Sequence, residues 1–570
     1  MKYSKLCETY EDLEQNPSRL KKTAILSEFL RKLKPEDNEI LYLLQGKTFP
    51  DYSEKEFGIS EKLCIKALSR ASGVSNEDIV IKWRDLGDLG KVAEFIMANK
   101  KQGTLFSKPL TVKKVLENLK KLPELEGKGT VDKKLSLISE LLTSAKSNEA
   151  KYIIRTLLGD LRVGVAAGTL RDSIVNTCFP DLEKEEKKQT LEIVQDAYDK
   201  STDWQQVFDQ ACKGTKALEK TSLEPGRAVK VMLFPKEDTI ELGFKRVGKP
   251  ALIDFKYDGF RMMINKDENG EIKIFTRRLD NVTNQFPDVV KYVKENVKAK
   301  TFILDSEAVG YDPKTKIYKP FQDISQRIRR KYHIERLVKE LPIELNVFDI
   351  IYYNGKSLIK EPYKKRRKII EKIVTSYPFK IKPSEAIITD SIKEANKFYR
   401  KALKAGEEGV MMKNLESPYK PGSRVGYGIK IKPDDPDLDL VIVKAEYGTG
   451  KRAGWLTSYT LACKNGDNDE LLEMGKVSTG LKEKEELGLS FKELTEKLKP
   501  LMTKESGRTI TVKPKVVVTV IYQNIQKSPT YNSGYALRFP RIIRLRPDRS
   551  TDDITTLGDV EKEFKKAHPH

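Results

Sequence analysis

The chain has 570 residues, and its 106 Lys and Arg against 84 Asp and Glu give a formal net charge of +22. A charge of this size indicates a polyanionic partner, while 38% hydrophobic residues exclude a mainly disordered chain. Because no apolar run approaches the roughly 20 residues that span a bilayer, a membrane protein is excluded and we expect a soluble, cytoplasmic one.

Residues 1–225 are predicted to form an all-α domain. Apolar residues recur at i, i+3 and i+4 opposite charged faces in segments such as Leu20 to Leu33 and Asp132 to Ser144. Two similar glycine-containing turns, 86–91 and 158–164, either connect helices or offer backbone N–H groups to a phosphate.

Residues 226–433 are predicted to form an α+β domain, since apolar strands now alternate with helical segments. Strands such as Leu252 to Phe255 and Ile272 to Thr276 are followed by helices such as Tyr363 to Ile373. The domain ends at Pro433-Asp434-Asp435-Pro436, a stiff polar stretch suited to a linker.

Residues 434–570 are predicted to form a small β-barrel. Strands such as Leu440 to Lys444 and Thr457 to Cys463 are interrupted by one helix, Phe491 to Leu498. This pattern fits a Greek-key barrel of the oligonucleotide-binding type, the OB-fold, and an SH3-like barrel fits almost as well.

The chemistry of the chain must use Lys, Arg, carboxylates and a hard metal ion. Three His leave little room for Ser-His or His-metal catalysis, and five scattered Cys without a Cys-x-x-Cys pair argue against a zinc site or a disulfide framework. Six charged clusters occur in order at predicted strand ends: Lys256-Tyr257-Asp258-Gly259-Phe260-Arg261, Thr276-Arg277-Arg278-Leu279-Asp280-Asn281, Leu304-Asp305-Ser306-Glu307, Phe348-Asp349-Ile350, Glu407-Glu408-Gly409-Val410-Met411-Met412-Lys413 and Ile429-Lys430-Ile431-Lys432.

The cationic members of these clusters suit a triphosphate. A lysine with apolar neighbours, such as Lys256, can lose its proton near neutral pH and become a nucleophile. Taken alone, a lysine in so basic a chain is more often a solvated surface charge. In a strand, Lys430 and Lys432 point to the same face, where they form a cationic pocket together with Lys256 and Arg277.

The acidic and aromatic members suit a metal ion and a base. Asp305 and Glu307 would share one strand face. Glu307 and Glu408 offer oxygen ligands to Mg²⁺, and Phe348 offers a ring for base stacking.

The order of the six clusters resembles that of the covalent nucleotidyltransferases, specifically the ATP-dependent DNA ligases of the archaeal and eukaryotic replicative type. The resemblance covers nearly the whole chain and continues through Arg538-Phe539-Pro540-Arg541-Ile542-Ile543-Arg544-Leu545-Arg546. It implies a helical DNA-binding domain, an adenylation domain and an OB-fold domain. It also implies sealing of nicks in duplex DNA through enzyme–lysyl-AMP and DNA-5′-adenylate, in replication, repair and recombination.

The resemblance carries further expectations for individual residues and ligands. It implies ATP as AMP donor, Mg²⁺ with Mn²⁺ as the other candidate, and an archaeal monomer. Lys256 would be adenylated, and Asp254 holds the position whose backbone meets the adenine. Arg261 and Glu307 match the residues that contact the ribose, and Glu307 and Glu408 match the metal-linked carboxylates. Arg277 and Arg424 match the residues at the nucleotide phosphates and the DNA 5′-phosphate. Phe348 matches the stacking ring, and Lys430 and Lys432 match the phosphate lysines.

Two features depart from the pattern of this family. Gly428 stands where many relatives have Trp, and the last motif reads Arg546-Pro547-Asp548-Arg549 where relatives usually have Arg-Glu-Asp-Lys. Pro547 lacks an N–H, and Arg549 replaces a point charge with a planar fork. The orientation of the triphosphate is therefore the least direct inference from the resemblance.

One segment of the N-terminal region has two readings. Gln102-Gly103-Thr104-Leu105-Phe106 is similar to the sliding-clamp-binding peptide of archaeal ligases, a Gln followed by a hydrophobic pair. Equally, Leu105 and Phe106 could anchor the segment in a core.

Other functions share part of this pattern. An mRNA-capping guanylyltransferase or an RNA ligase has the same lysine chemistry but has no need of some 225 basic helical residues that suit duplex DNA. A DNA-binding architectural protein, or a ligase relative without catalysis, would not need an intact Lys256, Glu307, Glu408 and Lys430.

Overall fold

The computed structural model describes residues 1–34, 37–53, 55–99, 109–125, 129–319, 321–328, 330, 333–433, 436–448, 452, 454–466, 470–483 and 488–567. Contacts divide the chain into two compact units, Met1–Lys432 and Pro433–His570. Within the described ranges, no helix is long and apolar enough to cross a membrane.

The first unit begins with a helical region. One hydrophobic core extends from Tyr3 to Leu218 and holds these helices together. The helices are α1 (Tyr3–Gln15), α2 (Arg19–Arg31), α3 (Ile40–Leu43), α4 (Glu61–Ser72), α5 (Asn76–Leu86), α6 (Leu89–Ala98), α7 (Val112–Lys121), α8 (Thr130–Ser144), α9 (Ser147–Leu157), α10 (Ala167–Cys178), α11 (Lys184–Ser201), α12 (Trp204–Ala211) and α13 (Thr215–Glu219).

The two glycine turns of this region meet each other. The carboxylate of Asp88 caps α6 by accepting from the N–H groups of Gly90 (2.8 Å) and Lys91 (3.4 Å). The same carboxylate accepts from Arg155 (2.7 Å) and lies 3.3 Å from the guanidinium of Arg162, which belongs to the second turn. The first turn is therefore a helix connection in which the N–H groups of Gly90 and Lys91 are already bonded within the protein.

The rest of the first unit is an α+β region. Its helices are α14 (Ile240–Val247), α15 (Pro287–Asn296), α16 (Phe321–Ile328), α17 (Ile334–Glu340), α18 (Tyr363–Ile373) and α19 (Ile392–Lys404). Its strands are β1 (Ala251–Lys256), β2 (Phe260–Lys266), β3 (Ile272–Thr276), β4 (Phe302–Tyr311), β5 (Tyr318–Lys319), β6 (Ile343–Tyr353), β7 (Lys356–Ser357), β8 (Ile381–Pro383), β9 (Ala386–Thr389), β10 (Gly409–Asn414) and β11 (Gly428–Ile431).

These strands form two sheets. One has the order β11-β10-β1-β9, and the other has the order β3-β2-β4-β6-β7, with β5 on β4 and β8 on β6. Because β1 and β2 belong to different sheets, the turn Tyr257–Gly259 passes from one sheet to the other. A side chain at Gly259 would collide with the carbonyl oxygen of Ala308 in β4. Glycine is therefore required for the turn to lie against the second sheet.

The second unit is strand-rich. Its sheet curls as β14-β13-β12-β16-β15 with β17 joining β12 to β20, and β18 pairs with β19. The elements are β12 (Asp437–Tyr447), β13 (Leu456–Lys464), β14 (Leu471–Val477), α20 (Phe491–Leu498), β15 (Met502–Ser506), β16 (Thr509–Val512), β17 (Val517–Ile521), β18 (Asn524–Lys527), β19 (Tyr535–Arg538), β20 (Arg541–Leu545) and α21 (Leu557–Ala567).

The predicted fold class is confirmed: a helical region, an α+β region and a curled β-rich region follow in that order. The boundary between the two units falls one residue before the predicted start of the third domain at residue 434. The division of the chain into three domains at residues 225 and 433 remains a prediction.

Candidate active site

Lys256 lies at the end of β1, and Glu408 lies just before β10. The two strands pair antiparallel with Lys256 opposite Gly409, and the N–H of Glu408 donates to the carbonyl oxygen of Lys256 at 2.9 Å. The Nζ of Lys256 donates to a carboxylate oxygen of Glu408. Both side chains remain partly accessible, at 21% and 24% exposed. The strand pairing thus holds an accessible amine against a carboxylate.

Further cations surround this pair. Lys430 lies on β11 opposite Met411 of β10. Burial lowers the pKa of Lys430, and the charges of Lys256, Lys432 and Arg424 lower it further. Of the predicted cationic pocket, Lys256 and Lys432 thus lie within electrostatic reach of Lys430, and the pocket that also includes Arg277 remains a prediction. Lys432 follows β11 rather than lying within it, so the predicted sharing of one strand face with Lys430 does not apply.

Glu307 lies within β4, opposite Arg261 of β2. Burial raises the pKa of Glu307 to about 8, although the charges of Lys256 and Arg261 act in the opposite direction. A carboxyl with this pKa is mostly protonated at neutral pH. A nearby cation such as Mg²⁺ would favour its ionised form.

Arg261 is held on several sides. Its guanidinium forms a two-pronged ion pair with Asp305, with Nε 2.7 Å from Oδ1, and its Nη1 donates to the carbonyl oxygen of Met232 at 2.7 Å. The hydroxyl of Tyr419 donates to the same Asp305 carboxylate at 2.7 Å. The structure thus places Arg261 beside Glu307 in a fixed orientation.

Phe348 and Asp254 lie on either side of Lys413. The centroid of the Phe348 ring lies 4.8 Å from Nζ of Lys413 and 5.2 Å from the guanidinium carbon of Arg261. Asp254 on β1 is buried, and its Oδ2 accepts from Lys413 at 2.7 Å and from Ser384 at 3.2 Å. Its Oδ1 is buried and has no hydrogen-bond partner within the described part of the chain.

Arg277 and Arg424 are exposed. Arg277 follows β3, whose last residue Thr276 pairs with Met262, so Arg277 is at the level of Arg261. Arg424 forms a β-bridge with Leu233. Both arginines are accessible to an external anion, which agrees with the predicted phosphate contacts without testing them.

The structure accounts for the glycine at position 428. A Cβ atom there would lie 2.5 Å from Cζ of Phe234, so the ring of Phe234 occupies the space that a side chain would need. An aromatic ring is thus present beside the Lys430 strand, but a different part of the chain supplies it.

Glu407 is a candidate site residue that the motif analysis did not single out. Its Oε2 accepts from the N–H of Asp258 at 2.9 Å, which ties it to the turn after Lys256. Burial raises the pKa of Glu407 to about 8. In the sequence, the one indication of a role for Glu407 is its position beside Glu408. Its contact with Asp258 could not be predicted from the sequence.

The last motif forms ion pairs within the second unit. Arg546 contacts Asp439 at 2.6 Å and Asp548 at 2.7 Å, and Arg549 contacts Asp439 at 3.1 Å. The hydrogen bond from Arg546 lowers the pKa of Asp548 to about 2. Arg544 donates to the hydroxyl of Thr519 at 3.1 Å. Pro547 is therefore compatible with a compact cluster of charges.

Three comparisons with known proteins identify the family of the chain. The chain matches the family models "DNA ligase N terminus" over residues 2–175, "ATP dependent DNA ligase domain" over 231–432 and "ATP dependent DNA ligase C terminal region" over 452–549. It is 44% identical to a DNA ligase of Nanoarchaeum equitans over 568 residues, covering 99% of this chain and 98% of that protein. It is 39% identical to a DNA ligase of Thermococcus fumicolans over 566 residues, with the same two coverages.

A solved structure described as Pmar-Lig_PreS3 has a related fold, with a TM-score of 0.55 and 19% identity over 95% of this chain and 99% of that chain. The sequence relatives cover the chain from end to end, through both compact units. The chain therefore belongs to the family of archaeal ATP-dependent DNA ligases.

Proposed function

We propose that Lys256 is the residue that carries AMP in the nick-sealing reaction of this ATP-dependent DNA ligase. Enzymes of this family seal DNA through a covalent lysyl-AMP intermediate. The observation that carries the assignment is the position of the Lys256 amine at the end of β1, against Glu408 and within electrostatic reach of Lys430. The glycine turn beyond it leads directly to Arg261 and the second sheet.

The proposed reaction has three transfers. The neutral amine of Lys256 attacks the α-phosphate of ATP, and pyrophosphate leaves. AMP then passes to the 5′-phosphate at the nick, and the 3′-hydroxyl finally displaces it. Phosphoryl transfer depends mainly on in-line positioning and on charge neutralisation. Lys430, Lys432 and Arg424 would supply that charge neutralisation.

Glu307 and Glu408 would hold Mg²⁺, or Mn²⁺, at this site. Both carboxylates interact electrostatically with Lys256 or with each other. No group of three or more potential metal-binding side chains occurs among the described residues. A site with only the two carboxylates of Glu307 and Glu408 fits Mg²⁺, which is often bound by one or two carboxylates together with substrate phosphates and water. When bound, the ion would neutralise phosphate charge.

The remaining site residues would bind the nucleotide. The Phe348 ring would stack on the base, and the backbone at Asp254 would meet the adenine. Arg261, together with Glu307, would contact the ribose, and Arg277 would contact phosphate. Fixed side chains of this kind orient the α-phosphate toward the amine.

DNA is the substrate of this family, and we propose that nicked duplex is bound by three domains with the predicted bounds of 1–225, 226–433 and 434–570. The net charge of +22 supports a binding mode that neutralises many phosphates. We further propose that the enzyme acts as a monomer in the archaeal cytoplasm. The predicted sliding-clamp peptide, with Gln102, Leu105 and Phe106, lies outside the described residues and remains a prediction.

The assignment of Lys256 is tested by incubation with α-labelled ATP followed by nicked DNA. Lys256→Ala and Lys256→Arg should form no labelled adduct, since neither alanine nor an always-protonated guanidinium can attack. Lys404→Ala, which changes an exposed lysine of α19, is the matched control and should label normally. A labelled adduct of normal yield in either Lys256 variant would exclude this lysine.

The same assay separates the other functions that share this chemistry. Labelling by GTP in preference to ATP would favour a capping enzyme, and sealing of nicked RNA in preference to DNA would favour an RNA ligase. DNA binding without an adduct would indicate a protein that has lost catalysis.

A further inference from the structure

Two cysteines of the helical region lie side by side. Cys178 is the last residue of α10, and Cys212 directly follows α12. Their Sγ atoms are 3.0 Å apart, about 1 Å longer than a disulfide bond. Cys178 is partly exposed and Cys212 is exposed, whereas Cys7, Cys64 and Cys463 are buried. A small reagent can therefore reach this pair but not the other three thiols.

The two thiols differ in reactivity. The hydrogen bond between them raises the pKa of the Cys178 thiol, and burial raises it further. The same hydrogen bond lowers the pKa of Cys212. Because the thiolate is the nucleophile in thiol–disulfide exchange, Cys212 is the thiol that reacts first.

We propose that Cys178 and Cys212 are an oxidation site that closes to an intramolecular disulfide when a low-molecular-weight disulfide is available. The Cys212 thiolate attacks the small disulfide, which forms a mixed disulfide and releases one small thiol. The Cys178 sulfur then attacks Sγ of Cys212, gives up its proton and displaces the second small thiol. Two protein thiols are oxidised to one disulfide, and one small disulfide is reduced to two thiols.

The position of the pair gives the bond a structural consequence. The chain between the two cysteines contains α11, the helix that carries Tyr198 and Asp199. The ammonium of Lys230 lies 4.3 Å from the centroid of the Tyr198 ring and 4.0 Å from the Asp199 carboxylate. The disulfide would thus close a loop around a helix that contacts the α+β region. Such a loop restricts the unfolded chain and stabilises the folded one.

The oxidation is tested on the full-length protein by counting thiols with a maleimide–polyethylene glycol reagent. Reduced native protein should react at two thiols. After treatment with glutathione disulfide, the denatured protein should react at three, and dithiothreitol should restore five. Mass spectrometry should find the peptides of Cys178 and Cys212 linked, with the loss of two hydrogens. Five reactive thiols after oxidation, or glutathione retained on both cysteines, would overturn the proposal.

The single variants Cys178→Ser and Cys212→Ser provide the matched controls. Each should retain one accessible thiol that takes up glutathione and forms no internal link. Oxidised wild-type protein should unfold several degrees above reduced protein, and neither variant should show this difference. An equal shift in the variants, or none in fully linked wild-type protein, would overturn the stabilising role of the bond.

Discussion

Glu307 is partly buried and Glu407 is buried, and each has a pKa of about 8 because desolvation disfavours the ionised carboxyl. A nucleotide and a metal ion would change the surroundings of Glu307, which faces Lys256 and Arg261. Glu407 instead bonds to the backbone of Asp258. We therefore expect the titration of Glu307 to affect catalysis and that of Glu407 to affect folding.

Glu407→Gln should make stability less dependent on pH. The pKa of Glu407 rises from 4.5 to about 8 on folding, so the folded protein retains a proton that the unfolded chain releases between these values. Stability that this proton contributes is fully present below pH 4.5 and is lost as the pH rises through about 8. At about 1.4 kcal/mol per pH unit, the loss is at most about 5 kcal/mol.

Thermal unfolding between pH 5 and pH 9 measures this effect. The wild-type protein should lose stability with rising pH more steeply than Glu407→Gln, whose amide oxygen can still accept from Asp258. Glu416→Gln, at a 62% exposed side chain, should follow the wild-type slope. Parallel slopes for wild type and Glu407→Gln would contradict the prediction.

Glu307→Gln should make the apparent Mg²⁺ affinity of self-adenylation less dependent on pH. Because the pKa of Glu307 is about 8, Mg²⁺ binding below that pH must release a proton. The apparent Mg²⁺ affinity of wild-type self-adenylation should therefore rise by up to about tenfold per pH unit below pH 8. The variant should need more Mg²⁺ and show a flatter dependence. Mg²⁺ titrations of adduct formation at several pH values measure it, and an unchanged slope in the variant would refute the role.

The cationic and acidic residues around Lys256 were largely predictable, because each motif combines a charged residue with an apolar strand. Glu407 and Lys413 were not assigned roles, since their partners Asp258 and Asp254 are distant in the chain. The hydrogen bond between Glu407 and Asp258 spans 149 residues, and that between Lys413 and Asp254 spans 159. Contacts of this kind depend on strand register, which single-chain patterns do not contain.

At the scale of elements, regular amphipathic segments had predictable bounds, and strands that contain buried charges did not. The helix α18 and the strand β3 occur with the predicted bounds. In contrast, the cluster Leu304-Asp305-Ser306-Glu307 was predicted to lie at a strand end, but β4 continues to Tyr311. It continues because Asp305 is fully buried against Arg261. In the sequence, a charged residue that is buried in an ion pair resembles a polar strand end, because its partner lies on another strand and is distant in the chain.

The packing of β11 against the segment before α14 predicts a coupled pair of substitutions. Gly428→Ala would place a Cβ atom 2.5 Å from Cζ of Phe234, and overpacking of this kind costs about 1–3 kcal/mol. Phe234→Leu removes the ring atoms involved. The double variant should therefore be destabilised less than the sum of the two single variants.

Chemical denaturation of the wild type and the three variants measures this coupling. Gly466→Ala is a suitable control, because its added Cβ meets no atom within 4 Å and its backbone is not left-handed, and Phe234→Leu should not alter its effect. Additive effects in the Phe234 and Gly428 pair would show that the ring is not what excludes a side chain at position 428.

At the scale of the whole molecule, the comparisons cover both compact units, yet the two units have separate tasks in the proposed reaction. The first unit holds the amine, the carboxylates and the phosphate lysines. The second contributes the last motif, in which Arg546 and Arg549 form ion pairs with acidic residues of the same unit. Arg546 and Arg549 share Asp439, which is 11% exposed. These arginines could act on pyrophosphate during self-adenylation, or they could only hold the second unit together.

The double variant Arg546→Ala with Arg549→Ala separates these roles. If the arginines orient pyrophosphate as a leaving group, self-adenylation should fall at least about a hundredfold, as expected when charge stabilisation in the transition state is lost. Sealing of a nick that already carries a 5′-adenylate should change far less, because ATP is no longer needed. Labelled-adduct formation and sealing of pre-adenylated DNA measure the two steps separately.

Asp439→Asn supplies the matched control, because it removes the shared partner and leaves both arginines in place. A role in phosphate orientation predicts that this variant keeps most of its self-adenylation, since the guanidinium groups become less engaged by carboxylate. A purely structural role predicts that it loses thermal stability like the double arginine variant, with both activities falling together. Loss of these ion pairs would weaken the second unit in both steps alike, so a large and selective loss of self-adenylation in the arginine variant could not come from the broken pairs alone.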